Sequence, residues 1–109
     1  MLERIPPQNI DAEQSVIGAM LLDREAIYRV MKTLRPEDFY REGHRNIFEA
    51  MLLLNESGSP VDLITVSEEL RQQGTLEKAG GVAYLASLAE MVPTSANVEF
   101  YARIVEEKA

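Results

Sequence analysis

The chain has 109 residues, 46% of them apolar and 27% charged, and its 11 Lys and Arg against 18 Asp and Glu give a net charge of −7. That is one domain's worth of residues with enough apolar content for a real core, and its negative balance repels phosphate backbones and excludes free DNA or RNA as the primary ligand. The absence of Cys and the presence of a single His exclude disulfides, thiolate nucleophiles, Cys-type zinc sites and metal sites built from several histidines.

Pro and Gly punctuate the chain into six apolar stretches, each with helical spacing. Pro6-Pro7 holds the start extended. Val16, Ile17, Met20 and Leu21 then share one face of a helix predicted from Asp11 to Leu22, with Asp11 and Gln14 spaced as a capping box. Asp23 ends this helix and caps the next, Arg24 to Leu34, whose inner face carries Ile27, Val30, Met31 and Leu34. Pro36 stops it, and Pro36-Glu37-Asp38-Phe39-Tyr40 reads as a single helical turn, since Pro suits a first helical position and acids suit the positive end. From Arg41 the stripe His44, Ile47, Phe48, Met51 and Leu52 marks the expected central helix, which runs to about Leu54 before the turn residues Asn55 to Pro60.

Val61 to Val66 is rich in β-branched residues, but a helix from Leu63 to Gln73 fits better: Asp62 is a good N-cap, Leu63, Val66 and Leu70 are helically spaced, and Gly74 stands at the C-terminal position. After Gly80-Gly81, Leu85, Leu88, Ala89 and Val92 share a face until Pro93. Thr94 or Ser95 caps a sixth helix with the stripe Val98, Tyr101, Ala102 and Val105. The predicted fold is therefore all-α, a compact bundle of about six helices forming a single domain over residues 1–109. The uncharged run from Val82 to Ala89 is far short of the ~20 residues of a membrane span, and the start of the chain lacks an apolar signal core, so a cytosolic protein is expected.

On the last helix Phe100 and Ile104 lie roughly opposite the buried stripe, and the sequence ends in Glu106-Glu107-Lys108-Ala109 without a stop signal. Two readings are open: a fragment whose helix continues and whose second apolar face has a partner, or a frayed end with two partly exposed apolar side chains.

Little in the sequence points to chemistry. There is no phosphate-binding loop of the form Gly, four residues, Gly-Lys-Ser/Thr, and Gly80-Gly81 reads as a tight turn for close helix packing, with a weak anion nest as the alternative. His44 has no carboxylate three or four residues away, because Glu42 and Glu49 lie two and five positions off, and it reads as structural. The adjacent pairs Glu37-Asp38, Glu68-Glu69 and Glu106-Glu107 diverge on a helix and read as helix-end or solvated charges. Residues 46–109 carry −6, a face that either steers a basic partner protein or serves only solubility. Tyr84 lies at the rim of the buried stripe, where it is either a plain rim tyrosine or a recognition residue, half in the core and half available to a partner.

The run Arg4-Ile5-Pro6-Pro7-Gln8-Asn9-Ile10-Asp11-Ala12-Glu13-Gln14-Ser15-Val16-Ile17-Gly18 resembles the opening of bacterial replicative DNA helicases of the DnaB type. The resemblance continues through Glu37-Asp38-Phe39-Tyr40, His44 with Ile47-Phe48, Pro60-Val61-Asp62-Leu63-Ile64-Thr65, Gly80-Gly81-Val82-Ala83-Tyr84-Leu85, and Ala96-Asn97 followed by Tyr101-Ala102-Arg103-Ile104-Val105. It implies the all-helical N-terminal head of a ring-shaped hexameric helicase. A helical hairpin, a linker and a RecA-like motor holding ATP and Mg and gripping single-stranded DNA then lie outside this sequence. It also implies a collar arranged as a trimer of dimers, a docking surface for primase that includes Tyr84, contacts with initiator and loader proteins, and a role for Phe100 and Ile104 in packing against the hairpin or a neighbouring subunit. No catalysis is expected from this segment, and without the hairpin it should associate weakly and bind primase poorly. The rival reading is a freestanding helical adaptor descended from the same head.

Overall fold

The computed structural model describes residues 9–92 and 95–109, and all of its regular elements are helical: α1 (Ile10–Leu22), α2 (Arg24–Met31), α3 (Glu42–Glu56), α4 (Leu63–Gln73), α5 (Gly81–Met91) and α6 (Val98–Lys108), with one 3-10 turn over Pro36–Asp38. The predicted extended start at Pro6-Pro7, the stop at Pro93 and the Thr94 cap lie outside the described residues.

The central helix is α1 and not α3 as expected: α1 packs on α2, α3, α5 and α6, whereas α3 lies against α1, α4 and the 3-10 turn. The reason is visible in α1 itself, where Val16, Ile17, Gly18, Ala19 and Met20 are buried consecutively, so the helix is covered all round over this stretch. A helix apolar on every side belongs inside a bundle. Gly18 makes this crossing close. A β-carbon there would overlap the carbonyl oxygen of Leu88, so the missing side chain lets the backbones of α1 and α5 approach.

Several boundaries differ from expectation for local reasons. Asn9, rather than Asp11, caps α1, its Oδ1 accepting from the Ala12 amide at 3.0 Å. Helix α2 stops at Met31, short of Leu34, yet Leu34 stays in the core because the following turn folds it inward, while Met31 faces out at 46% exposure. The Pro36 turn ends at Asp38, whose carboxylate accepts from the Arg35 amide at 2.9 Å. Phe39 then leaves the turn extended and enters the core, where its ring meets that of Phe48 at 4.9 Å between centroids. Such a pair contributes about 0.5–1.5 kcal/mol beyond its buried area. The fourth helix matches its predicted limits, with Asp62 and Thr65 forming a reciprocal cap at 2.9 Å in each direction and Gly74 in the left-handed conformation at its end.

Asp23 closes α1 and caps α2, accepting from the Glu25 amide at 3.0 Å. Ser95, predicted as a cap for α6, does something else: its hydroxyl donates to Asp23 Oδ2 at 2.8 Å, tying the segment before α6 to the α1–α2 corner, and Asn97 occupies the N-cap position without a side-chain bond. The Ser95 hydroxyl, then the Glu25 amide and Arg29, hold the Asp23 carboxyl below its ordinary 3.8 against some desolvation. A carboxyl lowered in the folded state adds stability that is complete above 3.8 and is lost as the pH falls through the folded value. Ser95→Ala is therefore expected to lower Tm at neutral pH by an amount that shrinks as the pH drops below 3.8; a difference persisting unchanged in acid, measured by circular dichroism melts, would show that Ser95 acts otherwise.

Candidate functional site

The buried polar centre is assembled from three helices. Glu13 sits on α1 at 1% exposure, His44 on α3 at 1%, and Tyr84, half-buried, on α5. His44 Nδ1 lies 2.7 Å from Glu13 Oε1, and His44 Nε2 lies 2.7 Å from the Tyr84 hydroxyl. Glu13 Oε2 accepts from the Tyr40 amide at 2.6 Å, and the Tyr84 oxygen accepts from Gln14 Nε2 at 3.1 Å. With a carboxylate on one side, the imidazole donates from Nδ1. In the neutral ring Nε2 is then an acceptor, and the Tyr84 hydroxyl donates to it. Both Glu13 oxygens, both His44 ring nitrogens and the Tyr84 hydroxyl thereby have partners, which is the condition for burying such groups.

Local structure places each group. Glu13 shares the buried face of α1 with Ile17 and Met20, four and seven residues on, so the core-facing stripe carries the carboxylate inward. The Tyr40 amide arrives there because Arg45 holds the segment after the 3-10 turn, donating from Nε to the Phe39 carbonyl at 2.7 Å and from a terminal nitrogen to the Tyr40 carbonyl at 3.1 Å. Tyr84 is held at the start of α5 by Gly80, whose φ of 108° and lack of a β-carbon make room for the tyrosine: a β-carbon there would come within 2.6 Å of the Tyr84 ring. The His44 and Tyr84 rings lie nearly parallel, 7° apart in plane with centroids at 6.0 Å.

The expectation that His44 is structural agrees with this geometry, and so does the absence of a carboxylate partner on its own helix. Its partner, Glu13, is 31 residues away and was missed among the first-turn polar residues of α1. The signal was there, since Glu13 falls on the Ile17–Met20 face. Tyr84 is at the rim as predicted, with its hydroxyl turned into the His44 network rather than into water alone. Gly80 and Gly81 form a turn: their amides donate to the Glu77 and Leu76 carbonyls at 3.0 and 2.9 Å, which uses up the donors an anion nest would need. Phe100 is 68% exposed, and Ile104 is partly buried against the core.

A cavity of about 140 Å³ opens over the network, walled by Arg41, Gly43, His44, Lys78, Gly80 and Tyr84. Among the described residues no cluster of three or more His, Asp or Glu is placed to hold a metal. A carboxylate–imidazole–hydroxyl chain can orient a proton acceptor in an enzyme. Here its terminal hydroxyl is the tyrosine that the chain immobilises, so the effect is to fix an aromatic ring at the edge of a cavity.

Comparison with known proteins places this arrangement in context. Residues 5–107 match the family described as the DnaB-like helicase N terminal domain. The replicative DNA helicase DnaB of Geobacillus stearothermophilus is 58% identical over 107 residues, covering 98% of this chain and 24% of that protein. The replicative DNA helicase DnaC of Bacillus subtilis is 51% identical over 107 residues, with the same coverage of 98% and 24%. The crystal structure of the N-terminal domain of the DnaB helicase from Mycobacterium tuberculosis superposes with a TM-score of 0.92 at 50% identity, covering 95% of this chain and 72% of that one. The chain thus spans about a quarter of the length of these two helicases.

The buried network makes a quantitative prediction. Glu13→Gln, which keeps the shape but weakens the acceptor for both His44 and the Tyr40 amide, should cost about 1.5–3 kcal/mol in urea unfolding, and Tyr84→Phe about 1–2 kcal/mol. The double variant should show a coupling of at least about 0.5 kcal/mol, whereas strict additivity would mean that the three side chains do not act as one unit.

Proposed function

Since the chain belongs to the DnaB-like helicase N-terminal domain family, we propose that it is the collar unit of a hexameric replicative DNA helicase, supporting ring assembly and docking primase at the replication fork in the cytoplasm, with no catalysis of its own. The observation that carries this reading is the 58% identity over 107 residues to a replicative helicase of which the chain spans 24%. The collar is a trimer of dimers, and initiator and loader proteins meet the same ring. DNA contact belongs to the full ring, as the net charge of −7 favours. ATP and Mg belong to the motor, and the one glycine pair of this chain does not suit a phosphate, because both of its amides are bound to carbonyls. Among the described residues no helix is long and apolar enough to cross a membrane.

Tyr84 is the primase-contact residue in this proposal. Its ring is immobilised before docking by His44 and Gln14, so little ordering entropy is lost when a partner covers it. Phe100 and Ile104 form the subunit or hairpin contact, and the 68% exposure of Phe100 leaves a large apolar surface for one.

In a helicase carrying this domain, Tyr84→Ala should weaken primase binding by about 1–3 kcal/mol by calorimetry, the range of an aromatic anchor, while Tyr84→Phe retains most of the affinity. Unchanged affinity in Tyr84→Ala would remove the residue from the interface. Phe100→Asp should leave the fold of the 109-residue chain intact yet shift the sedimentation of the helicase toward smaller species. Identical sedimentation before and after would exclude an assembly role for that face.

A further inference from the structure

The cavity over the His44–Tyr84 pair gathers two cationic side chains in a chain of net charge −7. Two of its walls are cationic, Arg41 and Lys78. Among the described residues no hydrogen bond or ion pair holds the Arg41 guanidinium, and Lys78 has only a loose approach to Glu42 at 3.9 Å, both side chains being well exposed. A 3.9 Å pair between exposed groups contributes little and gives way readily to a better acceptor.

A third contribution comes from the backbone. Helix α3 has Arg41 at its N-cap position with no side-chain cap, so the amides of its first turn, those of Glu42, Gly43 and His44, have no intrahelical partner, and Gly43 and His44 line the cavity. The floor is closed by the buried His44, whose ring nitrogens are already bonded to Glu13 and Tyr84, so the free side-chain donors of the walls are those of Arg41 and Lys78. Its volume, about 140 Å³, accommodates one carboxylate-sized group and is well below the roughly 300 Å³ at which sites for larger ligands begin.

We propose that this cavity is an oxyanion socket that receives one carboxylate, presented by an acidic side chain of the protein that docks beside Tyr84. The identity of the partner rests on the docking reading above; the socket itself does not. The flat guanidinium of Arg41 offers a carboxylate two parallel donors, and the acidic surroundings favour one inserted side chain over an extended polyanion. Together the stacked Tyr84 ring and the socket make a two-point contact, apolar and ionic, which fixes orientation as well as affinity.

The test uses the isotope-labelled chain titrated with sodium acetate and, at matched ionic strength, with sodium chloride. Acetate should give saturating shifts at the Gly43 and His44 amides and at Arg41 Nε, and Arg41→Gln should weaken that binding about fivefold to tenfold. Equal responses to chloride, or acetate binding indifferent to Arg41→Gln, overturn the socket. Stronger binding of inorganic phosphate than of acetate at the same amides overturns the assignment to a carboxylate. In the complete helicase, Arg41→Gln should lower affinity for the docking protein and flatten its salt dependence; affinity unchanged by Arg41→Gln overturns the inserted side chain. Failure of Tyr84→Ala to affect docking, with acetate binding intact, counts against the docking reading alone.

Discussion

A carboxylate at 1% exposure is sustainable only where every oxygen is answered, and the fold around Glu13 is arranged to answer it. One oxygen takes the Tyr40 amide and the other the His44 ring, so the acid fixes a loop and a second helix at once. His44 in turn fixes Tyr84 on a third. Apolar contacts between α1, α3 and α5 would tolerate small rotations of each helix, but a chain of hydrogen bonds at 2.6–2.7 Å does not. The register of these three helices is therefore set at one point, and the position of the Tyr84 ring at the surface follows from it.

This coupling explains why several residues that look unrelated in sequence belong together. Arg45 holds the Phe39 and Tyr40 carbonyls, which aims the Tyr40 amide at Glu13. Gly80 makes room for the Tyr84 ring, and Gly18 lets α5 approach α1 closely enough for Gln14 to reach the Tyr84 oxygen. Replacing any one of them would act on the tyrosine through the groups that hold it.

The helices were legible because apolar spacing and punctuation agree: Asp62 and Gly74 bracket α4 where the residues demand it, and Asp23 ends one helix and starts the next. The central position of α1 is not legible in the sequence, because a helix covered on all sides shows a weaker stripe than an amphipathic one such as α3, and the stronger stripe points to the wrong centre. The expected caps at Asp11 and Ser95 are displaced for different reasons, one local and one tertiary. Both residues have the right chemistry, but Asn9 precedes the first, and the second is engaged by Asp23, 72 residues away. The site was only half legible: Tyr84 and His44 stand out by type and face, whereas Glu13 reads as an ordinary helix-start acid until a distant histidine supplies its partner.

The division of labour within the bundle follows from where the polar and apolar groups end. On α5 an aromatic ring emerges already oriented by a network rooted in the core, next to exposed cations in an otherwise acidic chain. A partner docked on a surface of this kind, rigid and mixed in character, would have to satisfy both the ring and the charge. On α6, Phe100 is exposed on the side away from the stripe of Val98, Ala102 and Val105, with no comparable network beneath it. An exposed apolar residue of that sort rewards permanent cover more than selective contact. The two helices both pack on α1, so one central element carries both the mixed surface beside Tyr84 and the apolar surface at Phe100.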